Sequence, residues 1–126
     1  MANDTRILIA EDEPAIAKAL ELKLTHAGYQ VELVINGDEA LAKLDAGKYD
    51  MLLLDLIMPV KDGFGVLEGL HAKKNKTPVI VLTNLGQEED LERAKQLGAT
   101  DYFVKADTPI ADVVAHVEGK LKHANR

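Results

Sequence analysis

The feature that most constrains this chain is an alternation repeated five times: a short apolar run of strand length, then a stretch with apolar residues at helical spacing. Arg6 to Ala10 is a β-branched run. Gln30 to Ile35 sets Val31, Leu33 and Ile35 against polar Gln30 and Glu32. Met51-Leu52-Leu53-Leu54 and Val79-Ile80-Val81-Leu82 are continuous apolar runs, the pattern of strands buried on both faces. Tyr102-Phe103-Val104 is a shorter fifth. Between them, Ile16, Leu20 and Leu24 follow Pro14 and precede Gly28, which suits a helix closed by a left-handed residue. Ala40, Leu41 and Leu44 mark a second helix ending near Gly47; Phe64, Leu67 and Leu70 a third; Leu91, Ala94 and Leu97, before Gly98, a fourth. Thr108 as N-cap and Pro109 in the first turn open a fifth, with Ile110, Val113, Val114, Val117 and Leu121 on one stripe. This order predicts an α/β fold with a parallel sheet, helices on both faces and right-handed crossovers.

At 126 residues the chain fits one domain, predicted over 1–126 with a core from about 6 to 121 and no output domain. Its natural Met start and finished fifth helix favour a stand-alone protein. Lys plus Arg is 15 and Asp plus Glu 21, a net charge of −6, which argues against direct binding to nucleic acid. Cysteine is absent, excluding disulfides, thiolate metal sites and a Cys nucleophile. No apolar run approaches the roughly 20 residues that span a bilayer, and the N-terminus is no signal peptide, so a cytoplasmic protein is expected.

Open parallel sheets bind ligands beyond the carboxyl ends of their strands. Here strand one ends in Glu11-Asp12-Glu13, strand three in Asp55, strand four in Thr83 and strand five in Lys105. Glu11, Asp12 and Asp55 in one cleft repel each other, and hard oxygen ligands of this kind suit Mg²⁺. Lys105 and Thr83 are able to hold phosphoryl oxygens, which leaves Asp55 as a carboxylate nucleophile that would carry the group as an acyl phosphate. Each position alone has a plainer use. Acids before a helix favour its dipole, an Asp after a strand often turns, and a lone Lys is usually solvated. Four complementary strand ends together are far more specific.

The segments Ile7-Leu8-Ile9-Ala10-Glu11-Asp12-Glu13, Leu53-Leu54-Asp55-Leu56-Ile57-Met58-Pro59, Val81-Leu82-Thr83 and Asp101-Tyr102-Phe103-Val104-Lys105 resemble the receiver domain of two-component response regulators, of the single-domain, chemotaxis-regulator type. The resemblance runs from Arg6 to about Leu121. It implies a flavodoxin-like, doubly wound sheet of five strands in order 2-1-3-4-5. It implies that Asp55 accepts a phosphoryl group from a sensor histidine kinase or phosphotransfer protein. Asp12, Asp55 and the backbone carbonyl of Ile57 would ligate Mg²⁺, with Glu11 acting mainly through water. Lys105 would bind the phosphoryl group and Thr83 close onto it. Tyr102 would rotate inward, altering the face of the fourth helix, fifth strand and fifth helix that meets a downstream protein or forms a phosphorylation-linked homodimer.

Some positions depart from the family's commonest pattern. Ala106 replaces a frequent cis-proline, which predicts a trans bond after Lys105 and a more mobile loop. Glu11 stands for a frequent Asp. Ile57 offers an attacking water no polar handle, and Asn84 could restrict access or offer the phosphoryl group a hydrogen bond; together they predict a long-lived phosphoryl state. Gly63-Phe64-Gly65 lacks the third glycine of a dinucleotide motif, so Gly63 reads as a turn residue before the third helix. His26, His71, His116 and His123 read as surface residues, and the basic run His71 to Lys76 as a solvated helix end. An aspartyl-phosphate phosphatase would need an acid where Ile57 stands, and a flavin module a loop unlike Glu11-Asp12-Glu13. The chain is therefore not expected to be an enzyme beyond its own phosphorylation and slow dephosphorylation. A phosphorylation-independent interaction domain on the same fold is the alternative.

Overall fold

The computed structural model describes residues 4–124, with side chains through residue 122 of the last helix. The elements are β1 (Arg6–Ala10), α1 (Pro14–His26), β2 (Gln30–Val34), α2 (Gly37–Ala46), β3 (Met51–Leu54), α3 (Gly63–Ala72), β4 (Val79–Thr83), α4 (Glu88–Gln96), β5 (Asp101–Val104) and α5 (Ile110–Ala124). The sheet is parallel, in order β2-β1-β3-β4-β5. Both predictions, strand order and helix number, hold.

The continuous apolar runs are explained by two cores. Leu8, Leu52, Leu54, Val79 and Val81 face one way, toward Leu44, Phe64, Leu67 and Ala94 of α2, α3 and α4. Ile7, Ile9, Met51, Leu53, Ile80 and Leu82 face the other, toward Leu20 and Leu24 of α1 and Val113, Val117 and Leu121 of α5. Every residue of β3 is therefore buried. α4 is the exception among the helices, with Ala94 its one buried residue.

Two boundaries differ from the sequence reading. Lys105 is not the end of β5 but the first residue of a one-turn 3₁₀ helix, Lys105–Asp107. α5 begins one residue later than predicted. The Pro109 carbonyl accepts from the Asp112 and Val113 amides, so Pro109 rather than Thr108 stands in the cap position. The bond after Lys105 is trans, as are all the others described.

Three helices close with the same pair of backbone bonds, the residue at the left-handed position donating to the third carbonyl back and its successor to the fifth. In α1 and α4 that position is Gly28 and Gly98, both at φ 104°. In α3 it is Lys74 at φ 54°, with Lys74 donating to His71 and Asn75 to Leu70. A side chain pays for this conformation and glycine does not. Lys74→Gly is therefore expected to stabilise by about 0.5–1 kcal/mol after the entropy of the unfolded chain is counted. Thermal unfolding would read this; an unchanged or lower midpoint would refute it.

Candidate phosphoryl-acceptor site

The ladder places the acids. The Glu11 amide donates to the Val34 carbonyl and the Asp55 amide to the Ala10 carbonyl, each at 3.0 Å, so both residues leave the sheet on the same carboxyl edge. Below Asp55 the chain turns into α3, where Asp62 caps the helix by accepting from the Gly65 amide at 2.9 Å. Gly63 is the first residue of α3 and not a turn before it. A Cβ there would lie against the Asp55 carbonyl oxygen and 2.7 Å from Leu56 Cα. Its glycine is required by close approach, since the start of α3 lies directly against the Asp55–Leu56 backbone just beyond β3.

Glu11 and Asp55 are buried, each with a side chain 3% exposed. Lys105 reaches in from the 3₁₀ turn, its ammonium 2.9 Å from Asp55 Oδ2, 2.9 Å from Glu11 Oε1 and 2.8 Å from Glu13 Oε1. Asp12 is exposed, yet carboxylate oxygens of Glu11, Asp12 and Asp55 lie within 4.8 Å of one another. The Ile57 amide donates to Asp55 Oδ1 at 3.1 Å, while the Ile57 side chain is half-exposed. Thr83 is fully buried at the end of β4, and its Oγ1 accepts from the Leu85 amide at 3.5 Å. Asn84 is exposed in the loop that follows. Tyr102 is half-buried, and its hydroxyl donates to the Leu85 carbonyl at 2.8 Å, tying β5 to the loop after Thr83.

These surroundings move the titrations. Burial pushes the Glu11 carboxyl up to about 7, against the bonds it receives from Lys105 and the Glu13 amide. Burial alone would lower Lys105, but its three carboxylate partners outweigh that and raise it. Burial, with Asp90 and Asp55 nearby, pushes Tyr102 up to about 12, so its hydroxyl remains a donor. A cation suits this donor set: three carboxylates in reach of one point, one of them costly to ionise without a positive partner. Concavity points elsewhere. A cleft of about 670 Å³ at the opposite end of the sheet, floored by Met51, Val79 and Leu121, gathers no comparable group of acids.

A sequence profile for the response regulator receiver domain matches residues 7–118. The chain belongs to the response regulator receiver family. It is 39% identical over 124 residues to the transcriptional regulatory protein ResD of Bacillus subtilis, covering 98% of this chain and 51% of ResD. The chain thus spans about half the length of the curated relatives it matches. It superposes on the receiver domain of the Francisella response regulator 1452 with TM-score 0.88 and 28% identity, covering 96% of this chain and 99% of the other. The signal receiver domain of a signal transduction histidine kinase from Syntrophus aciditrophicus gives TM-score 0.84 at 34% identity, covering 97% and 93%. As a receiver, the chain is a signalling module of two-component systems, a family that generally binds Mg²⁺ at its acidic pocket. No helix among the described residues is long and apolar enough to cross a membrane.

Two features of this receiver escape sequence reading. Glu13, taken as a possible partner of the helix dipole, makes no side-chain cap on α1 and binds Lys105 instead. His116 is half-buried rather than on the surface: it meets the Phe103 ring edge-on, and its Nε2 lies 3.1 Å from Asp101 Oδ2. Neither contact has a local sequence signal, because each joins residues far apart in the chain. His26 and His71 are exposed as expected, and the His123 side chain lies outside the described residues. The basic run is exposed from His71 to Lys74 and at Lys76, with Lys73 paired to Asp45.

Proposed function

We propose that Asp55 accepts a phosphoryl group from a phosphohistidine on a sensor kinase or phosphotransfer protein. The observation that carries this is the buried pairing of Asp55 with Lys105, closed in by Glu11 and with Asp12 beside it. An Asp55 carboxylate oxygen attacks phosphorus; the bond from phosphorus to the donor's imidazole nitrogen breaks, and its electron pair leaves with that nitrogen. Glu11, Asp12, Asp55 and the Ile57 carbonyl would hold Mg²⁺, which supplies charge neutralisation between attacking oxygen and phosphorus. Lys105 and the Thr83 hydroxyl take up the charge that spreads over the equatorial oxygens.

The output follows from the link between Thr83 and Tyr102. Drawing Thr83 toward the phosphoryl group disturbs the Leu85 carbonyl that Tyr102 holds, and the face of α4, β5 and α5 shifts with it. That face, with Ala94 the one buried residue of α4 and Asp101 paired to Lys120 at 3.3 Å, would meet a downstream protein or a second copy. Ile57 and Asn84 bring no acid to an attacking water, consistent with a long-lived phosphoryl state in a cytoplasmic signalling chain.

Intact-protein mass after incubation with acetyl phosphate tests this. A single phosphoryl adduct is expected, dependent on Mg²⁺ and absent from Asp55→Asn. A folded parent protein that forms no adduct with either acetyl phosphate or a kinase would favour phosphorylation-independent binding instead.

A further inference from the structure

Resting on Asp55 as the acceptor, we infer that Glu13 is a positioning residue: it keeps Lys105 at the mouth of the site while the other partners of that lysine are drawn away. An ammonium has three N–H donors. In this structure all three are engaged, by Glu11, Glu13 and Asp55. The three acceptors differ in what else is asked of them. Asp55 loses its carboxylate character when one of its oxygens becomes the ester oxygen of an acyl phosphate. Glu11 sits among the oxygens that would hold a divalent cation. Glu13 belongs to neither group, and its side chain is 48% exposed where the other two are 3% exposed.

The backbone of Glu13 is well fixed for this task. Its amide donates to Glu11 Oε2 at 3.0 Å, and its carbonyl accepts from the Ala17 amide at 3.0 Å as the first bond of α1. It occupies the N-cap position, where a side chain ordinarily serves the helix, yet it makes no such bond. The carboxylate crosses to Lys105 instead, 92 residues away. Lys105 needs an external hold because it lies outside β5, on a turn, and its long side chain has many rotamers to lose. With Glu13 in place, the N–H directed at Asp55 is free to follow the phosphoryl oxygens while another stays bonded at the rim.

The test compares the parent with Glu13→Gln, each with intact Lys105 and in a Lys105→Gln background. Phosphoryl adduct formation from acetyl phosphate is followed by mass at saturating Mg²⁺. Glu13→Gln is expected to slow the rate constant at saturating donor by about five-fold, the upper range for a half-exposed ion pair. In the Lys105→Gln background the same change should alter the rate by less than about two-fold, since the residue acts only through the lysine. A second readout needs no metal: acylation of the Lys105 amine in Mg²⁺-free protein, measured by peptide mass, should be several-fold faster in Glu13→Gln. Equal slowing in both backgrounds would overturn the inference, as would a faster rate, which would mean that Glu13 restrains Lys105 rather than aims it. A parent that takes no phosphoryl group overturns the reading of Asp55; a parent that does, alongside an unaltered Glu13→Gln, overturns only this one.

Discussion

Gly63→Ala is expected to lower folding stability by about 3 kcal/mol, the top of the range for overpacking. The added methyl meets the Asp55 carbonyl oxygen, Leu56 Cα at 2.7 Å and Leu56 Cδ2 at 2.9 Å, and two of these three are backbone. A side chain can change rotamer, but the Asp55–Leu56 backbone cannot step aside without straining the bonds from the Asp55 amide to the Ala10 carbonyl and from the Gly63 amide to the Leu56 carbonyl. In urea the midpoint should fall by roughly 1–2 M. Because the displaced backbone is that of Asp55, the surviving folded fraction should also form the phosphoryl adduct poorly. Gly119→Ala is the control of opposite sign. It lies within α5, its added Cβ meets nothing within 4 Å, and it should stabilise by about 0.5–1 kcal/mol. Equal midpoints for the two variants would show that close packing under Asp55 is not what Gly63 provides.

The second large effect is on pH and Mg²⁺. Metal-free protein is expected to be most stable near pH 4.5 and to lose stability on both sides. On the alkaline side the group is Glu11, whose folded pKa of about 7 stands above its ordinary 4.5. Between these values the folded state holds a proton that the unfolded state has released, so stability falls as pH rises from 4.5 through 7, by of order 3 kcal/mol. On the acid side the group is Glu32, held down to about 2 by hydrogen bonds from Arg6 and Lys43. Its contribution is present above 4.5 and is lost as pH falls toward 2. Saturating Mg²⁺ should raise the urea midpoint clearly at pH 8 and little at pH 5, where a proton already occupies Glu11. Glu11→Gln should flatten the alkaline limb and leave the acid limb in place. An alkaline limb unchanged in that variant would assign it to some other group.

Most of the fold was legible because the central strands are buried on both faces. The all-apolar Met51–Leu54 and the apolar run of Val79–Thr83 have few other readings, and their carboxyl ends then point to Asp55 and Thr83 without any knowledge of side-chain positions. The edge of the sheet was read less well. β5 is half-buried throughout, so its apolar pattern does not mark where the strand stops, and Lys105 was assigned to it though it belongs to the turn beyond. Contacts between distant residues leave no periodicity at all. Nothing local distinguishes a Glu13 that serves a helix dipole from one that binds Lys105, or a surface His116 from one packed on Phe103. Gly63 was recognised as special, but the reason differs: a turn and a close approach both select glycine, and only the packing of the start of α3 against the Asp55–Leu56 backbone separates them.

The position of Lys105 also sets a clock. The β4–β5 register ends at Thr83 and Val104, so no ladder bond must open for the lysine to move. A residue within the ladder shifts only through local unfolding, whereas a turn and its side chain rearrange in about nanoseconds to microseconds. On the proposed reading of Asp55, the turn and its lysine are therefore expected to rearrange faster than any step that must open the sheet. If Asp55 takes a phosphoryl group from acetyl phosphate, the activation enthalpy is then expected to reflect bond making and breaking at phosphorus rather than the opening of a strand.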